Sequence, residues 1–455
     1  MNPGVMIEQG PQDWQIIQHE NGAAHIRLEG YFIPQDQCRV VYVRVLDEET
    51  GFPIVSWTPA RVSGDKRWEI LLQDIPAGGL YRIETCLNEE NALVLEWGFR
   101  GDMRHHIGVG DVYVIAGQSN SAGYGKDFVY DPPEPGVHLL RNNGRWDMAA
   151  HPFNENTGAT EKVNSEGGNP GHSPYLAFAR RLKKYLGYPV GLIQTAKGGS
   201  SLREWDPDTG PLYRNMMTIL AGYGPVKGIL WYQGCSDTGP GDRDTYLERF
   251  KGMVSRLRGD LNRPVLPFLT VQIARVTNGD NHTGWGMIRE AQRRAAEQIE
   301  NVFVVPTTDC TMSDGIHLSA SANLLLGERL AGLALRRIYG KHYGYEAPNI
   351  KTACRAGADA IRLSFAPVYN RLYAFDEAPE QLPITVEDQK GQIRVVAYTV
   401  ERDTLTLRLE RPAGPECTVS GAADMNPPWF TPVDFASHIP ILSFYRFPVA
   451  DRERP

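Results

Sequence analysis

Cysteine is scarce: the 455 residues hold six (Cys38, Cys86, Cys235, Cys310, Cys354, Cys417), far apart and with no CxxC pair. That pattern excludes a zinc knot of the usual spacing and fits free thiols in a reducing compartment better than a disulfide framework. A basic excess is also missing. Lys and Arg number 47 against 54 Asp and Glu, a net charge of −7, so little drives phosphate counterions off a nucleic acid and no such partner is expected. No run approaches the roughly 18 apolar residues of a membrane span, and no membrane partner is expected. His105 and His106 are adjacent, so they point in different directions on a helix or a strand. No H-x-x-x-H spacing exists, and neither metal nor organic cofactor is expected. Glu8 and Asp13 precede the first basic residue, Arg27, which is unlike a secretion signal and sets a cytoplasmic location as the expectation.

What is present is enough apolar material, 42% of the chain, for a large core, and its rhythm divides into three zones. Residues 1–108 read as short β-segments, with Ala24 to Leu28, Val40 to Leu46, Trp68 to Leu72 and Leu80 to Leu87 as strands and Pro76-Ala77-Gly78-Gly79 as a turn. A sandwich-like β-domain is the economical reading. Residues 109–341 alternate strands with helices, beginning with the apolar run Asp111 to Ala116. Ser173-Pro174 opens a helix through Leu176, Ala179, Leu182 and Leu186 that Gly187 stops. Further strands are expected at Val190–Ala196, Val226–Tyr232, Val265–Ile273 and Val302–Thr307. This is the pattern of an α/β fold with a doubly wound parallel sheet covered on both sides, three layers in all. Residues 342–455 return to β-alternation, as in Ala360 to Phe365 and Thr404 to Leu409, and make a C-terminal β-rich domain.

In such sheets ligands bind where loops leave the carboxyl ends of the strands. Four polar loops fall there: Gly117-Gln118-Ser119-Asn120, Lys197-Gly198-Gly199-Ser200-Ser201, Gln233-Gly234-Cys235-Ser236-Asp237 and Asp314-Gly315-Ile316-His317. A serine hydroxyl becomes a nucleophile only beside a base. His317 can take the Ser119 proton, and Asp314, three residues earlier, can hold the imidazole in the right tautomer. Backbone N–H groups at Ser119 and Gly199, with the Gln233 side-chain amide, are the expected oxyanion donors. Taken singly, each has a blander reading: Ser119 as a helix cap, Gly198-Gly199 as a turn, His317 as one of eleven histidines. Their order at successive strand ends favours the catalytic one. The segment Gly117 to Ser121 lacks the second glycine of a G-x-S-x-G elbow, which argues against an ordinary α/β-hydrolase.

These blocks resemble those of SGNH-type hydrolases and, more narrowly, of the sialate O-acetylesterase family. Gly110-Asp111-Val112-Tyr113 through Asn120 resembles the nucleophile block, Lys197 to Trp205 the second, Trp231 to Asp237 the third, and Asp314 to His317 the last; Ile288-Arg289-Glu290-Ala291-Gln292 resembles a recurrent helix. Ile75 to Gly79 and Asn426-Pro427-Pro428 resemble its flanking β-regions weakly. The resemblance implies a flavodoxin-like SGNH sheet, Ser119 as nucleophile, His317 as base, Asp314 as acid, and O-acetylated sialic acid as substrate. One departure stands out: Cys235 occupies the place of the family's usual glutamate.

The expected function is therefore a carbohydrate O-acetylesterase with a small acetylated sugar as partner. Acetylated xylo- or manno-oligosaccharides are the alternative substrates, and a non-catalytic glycan-binding protein is the alternative of another class. A sialic acid carboxylate calls for an arginine, and Arg203 and Arg289 lie near the loops. Gln118, Asn120, Trp205 and Trp231 are further candidates for substrate contact. Cys235 as a nucleophile is a minor alternative, since no second histidine has a claim on it. Oligomeric state is not legible.

Overall fold

A computed structural model describes residues 4–160, 162–166, 168, 170–375 and 378–451. The N-terminal strands are β1 (Gly4–Gln9), β2 (Ile16–Gln18), β3 (Ala23–Ile33), β4 (Val40–Asp47), β5 (Pro53–Pro59), β6 (Arg61–Val62), β7 (Arg67–Pro76) and β8 (Gly78–Asn88). β1, β3, β7 and β6 form one antiparallel sheet, and β4 joins β5 to β8 in another. Alternation decides the inward face: in β3, Ala24, Ile26, Leu28 and Phe32 are buried while Arg27 and Tyr31 are exposed.

β9 (Phe99–Gly117) then runs for 19 residues. Its first part pairs antiparallel with β8, and its second pairs parallel with strands on both sides. The boundary expected at 108/109 thus falls inside a strand, and the expected strand from Asp111 is the latter half of a longer one. Arg100, Asp102, Arg104, His105 and His106 interrupt its apolar run, which hides the first half from a reading by hydrophobicity.

The helix-rich zone comprises α1 (Ser119–Ala122), β10 (Val137–Leu140), β11 (Trp146–Met148), α2 (Tyr175–Leu186), β12 (Val190–Gln194), α3 (Pro211–Ala221), β13 (Gly228–Tyr232), α4 (Asp242–Asp260), β14 (Phe268–Val271), α5 (His282–Gln298), β15 (Val302–Val305) and α6 (Ala320–Arg337). The strand order is β11-β10-β12-β9-β13-β14-β15, parallel throughout except for β11. Every residue of β12, β13, β14 and β15 is buried, as strands covered on both sides require. α2 packs against α6, and α4 against α5. Gly187, at φ +78°, caps α2 and returns its N–H to the Lys183 carbonyl. Ser319 caps α6 by accepting from the Ala322 amide at 3.0 Å.

Beyond α6, strands Asn349–Gly357, Ala360–Ala366, Thr404–Leu409 and Val395–Glu401 form one antiparallel sheet. Gly391–Ile393, Ile384–Asp388, Thr418–Gly421 and Phe444–Pro448 form a second. Three main cores result: one inside the N-terminal sheets, one around the parallel sheet, and one between the C-terminal sheets with Leu363, Phe365, Val386, Leu407 and Val419.

Candidate active site

β9 ends at Gly117, with φ +117°, where an added Cβ would come within 2.3 Å of the Tyr232 carbonyl oxygen on β13. A side chain has no room there, and glycine alone adopts that backbone without strain. The chain turns into α1, whose first residue is Ser119. Amides at the start of a helix have no partner inside it, so the Ser119 N–H is left without an acceptor in α1. Ser121 holds the turn from beneath, donating to the Ala116 carbonyl at 2.8 Å.

The histidine arrives from beyond β15. Asp314 closes a tight turn: Oδ1 accepts from the Ile316 and His317 amides, both at 2.8 Å, and Oδ2 meets His317 Nδ1 at 2.7 Å. Burial raises the Asp314 carboxyl, but the imidazole and the two amides outweigh it and hold the group below its ordinary value. With Nδ1 engaged, Nε2 is the nitrogen left for a proton from serine. Asn120 binds the two segments together. Its Nδ2 donates to the Ile316 carbonyl at 3.1 Å and its Oδ1 accepts from the Leu318 amide at 3.0 Å. The residues on either side of His317 are therefore fixed to the residue next to Ser119. The Tyr124 ring stacks on His317, centroids 4.7 Å apart.

The remaining loops are stitched to the same edge. Gly199, at φ +71°, is exposed, and its carbonyl accepts from Ser236 Oγ at 3.0 Å. Gly198 donates to Glu166 Oε1 at 2.5 Å, while Glu166 Oε2 accepts from the Tyr124 hydroxyl at 2.9 Å. One buried carboxylate thus fixes both the glycine loop and the ring covering His317. Asp237, also buried, accepts from the Leu202 amide with both oxygens, at 3.2 and 3.0 Å.

Several expected roles change. Gln233 is fully buried, and its Nε2 donates to the Ser200 carbonyl at 3.1 Å and to Asp237 at 2.5 Å. Both amide hydrogens are spent on the scaffold, which removes it as an oxyanion donor. Gln118 accepts from the Gly234 amide at 2.8 Å and Asn120 latches the histidine turn, so these amides hold loops together. Trp205 and Trp231 are core residues, 0% and 3% exposed, in edge-to-face contact at 5.3 Å, and offer no surface to a sugar. Arg289 is wholly buried, donating to the carbonyls of Ile273, Ala274, Ala422 and Asp424 at 2.5–3.1 Å. Arg203 is at the surface, bound to Asp242 at 2.6 Å. Cys235 is partly buried, and desolvation pushes its thiol up to about 12 despite nearby Arg289, which removes the thiolate that a cysteine nucleophile needs.

Tyr124, Glu166 and Asp237 escaped the sequence reading as site residues. Tyr124 lies five positions past Ser119, but nothing in its spacing marks a stacking role; Glu166 sits in a loop with no periodic signal. A further group, Asp131, His151 and His172, brings ligand atoms within 4.8 Å of one another and can hold a metal ion. Both histidines place Nε2 3.1 Å from Asp131 Oδ2, while Arg180 holds Oδ1 at 2.7 Å. The members are too scattered along the chain for a ligand-spacing motif to reveal them.

The model of the carbohydrate esterase, sialic acid-specific acetylesterase family matches residues 109–336. A probable carbohydrate esterase of Arabidopsis thaliana is 33% identical over 247 residues, 48% of this chain and 88% of that protein. The solved structure of a carbohydrate acetylesterase from Xanthomonas citri superposes on 97% of this chain and 99% of its own, with TM-score 0.68 at 19% identity; at that identity the likeness speaks for the fold. The family match covers the four loops just described, with Ser119, Gly199 and the Asp314–His317 pair inside it, and the chain belongs to the carbohydrate esterase, sialic acid-specific acetylesterase family.

Proposed function

We propose that this carbohydrate esterase removes acetyl groups from O-acetylated sugars through a Ser119–His317–Asp314 acyl-enzyme mechanism, on a three-layer SGNH-type sheet. Ser119 Oγ attacks the acetyl carbonyl as His317 Nε2 takes its proton. Amides of Ser119 and Gly199 receive the oxyanion. His317 returns the proton to the departing sugar oxygen, and water, activated by the same imidazole, releases acetate from the serine. Asp314 keeps the ring oriented and stabilises the imidazolium. The observation that carries this reading is the 2.7 Å Asp314–His317 contact, held beside Ser119 by the two hydrogen bonds of Asn120. It also favours catalysis over a purely glycan-binding role, which has no use for such a pair.

The family points to O-acetylated sialic acid. A second reading, acetylated xylo- or manno-oligosaccharides, is favoured by the fate of the two arginines: Arg289 is sealed in the interior and Arg203 is paired with Asp242. Acetate release from a panel of acetylated sialic acids and neutral oligosaccharides separates the two. Ser119→Ala lowers kcat on an aryl acetate by about 10³-fold or more; unchanged turnover rejects the mechanism.

A further inference from the structure

The segment that leaves the carboxyl end of β14 lies between the Asp314–His317 turn and the C-terminal domain. On one side the Thr277 amide donates to the Gly315 carbonyl at 3.0 Å, and a Cβ added to Gly315 would come within 2.9 Å of Asn278 Oδ1. On the other side the Val276 amide donates to the Met425 carbonyl at 3.0 Å, and Arg275 Nη1 to Asn426 Oδ1 at 3.2 Å. The start of the C-terminal loop 425–430 therefore stands two strand spacings, about 10 Å in all, from that turn. The approach to this loop is fixed in place, since Arg289 donates to the Ala422 and Asp424 carbonyls at 3.1 and 2.5 Å. Near its end Trp429 lies over a buried guanidinium: Arg275 Cζ is 3.5 Å from the ring centroid, and its Nη2 is anchored on the Thr308 carbonyl. Trp429 nevertheless remains 48% exposed, and Phe430 beside it 40%.

One face of the Trp429 ring is spent on Arg275, so its exposure belongs to the opposite face and the edges. An open aromatic face takes a flat apolar surface or a cation, and the guanidinium already on the ring disfavours a second cation. The C–H face of a pyranose is such a flat surface. A ring held from behind also loses little freedom when a ligand settles on it. An ester bound at Ser119 engages only the acetylated unit, and a platform this far from the catalytic turn is met by units further along the sugar chain. We infer that Trp429, with Phe430 beside it, forms a subsite for a sugar unit beyond the acetylated one, so that the substrates are oligosaccharides rather than single sugars. The inference rests on the carbohydrate esterase reading and adds to it a specificity-determining residue of the C-terminal domain, outside residues 109–336 that the family shares.

The test is the ratio of kcat/KM for an O-acetylated oligosaccharide to that for its O-acetylated monosaccharide, measured on the full chain. The pairs are xylotetraose with xylose, mannotetraose with mannose, and lactose-linked N-acetylneuraminic acid with the free sugar. In at least one pair the native ratio is about tenfold or more, the order a well-placed Trp contact supplies. Trp429→Ala brings that ratio to within about twofold of one, and Trp429→Phe restores part of it. Loss of folded enzyme lowers both members of a pair alike and leaves the ratio unmoved, so a merely structural role is distinguished. Should Trp429→Ala fail to fold, Trp429→Leu, which keeps an apolar side chain on Arg275, takes its place. The inference alone is overturned if acetylated sugars are hydrolysed with no gain from chain length, or if the gain survives in Trp429→Ala. Turnover of aryl acetate with none of any acetylated sugar overturns the proposed substrate class and this inference with it.

Discussion

Asn120 holds His317 by its neighbours: the amide of residue 120 donates to the carbonyl of Ile316 and accepts from the N–H of Leu318. The residue next to Ser119 thereby sets where the His317 ring stands. Asn120→Ala leaves a carbonyl and an amide unpaired, at about 1–3 kcal/mol each, and loosens the imidazole. Since a displacement near 1 Å can cost about 10²-fold in rate, kcat on an aryl acetate falls by that order, and the melting temperature falls with it. Native kcat in this variant removes Asn120 from the positioning of the base.

Asp314 makes the acid behaviour of the site calculable in sign. Its folded value lies below the ordinary one of about 3.9. Its stabilising contribution is therefore complete above that pH and is lost as pH falls through the lower folded value. Melting temperatures followed from pH 6 to pH 2 decline less steeply in Asp314→Asn than in the native chain. The same variant loses roughly 10³–10⁴-fold in kcat at neutral pH; parallel melting curves would separate Asp314 from the acid transition.

The thiol at position 235 is an inert occupant of its loop. With its value raised to about 12, almost none is thiolate at pH 8. Cys235→Ala keeps aryl acetate turnover within about threefold, and iodoacetamide leaves the activity of the native enzyme intact. Inactivation by alkylation in the native chain but not in Cys235→Ala would restore a role for sulfur.

Arg289 is a structural tie, since its four carbonyl partners lie on the segment after β14 and on the C-terminal domain. Arg289→Leu costs at least about 3 kcal/mol by stranding those acceptors and lowers the denaturation midpoint. The KM values for sialic and neutral acetylated sugars shift alike if the variant folds. A selective loss for sialic substrates would return the guanidinium to the binding site.

The loops at the strand ends were legible because the parallel sheet imposes a period and a direction. Once the strands of the middle zone were placed, the loops that carry Ser119, Gly199 and Gln233 had to leave the same edge of the sheet. The partners of Gln118, Gln233 and Asn120 were not legible, because an amide side chain gives no sign of whether it faces a ligand or a neighbouring loop. Trp205 and Trp231 show the same limit: an aromatic residue after a buried strand fits either the core or a sugar, and packing decided for the core. Glu166 reaches Gly198 and Tyr124 across gaps of 32 and 42 residues, and the chain between carries no pattern that foretells the meeting.

β9 passes without interruption from the N-terminal sheets into the centre of the catalytic one. A gene fragment starting at residue 109 would strip away the half of that ribbon that anchors the leading module, and uncover Val109, which is buried beside Ile17 in the intact chain. Melting of the front module would accordingly pull on the rod that ends two residues before Ser119, so the two regions are built to come apart together.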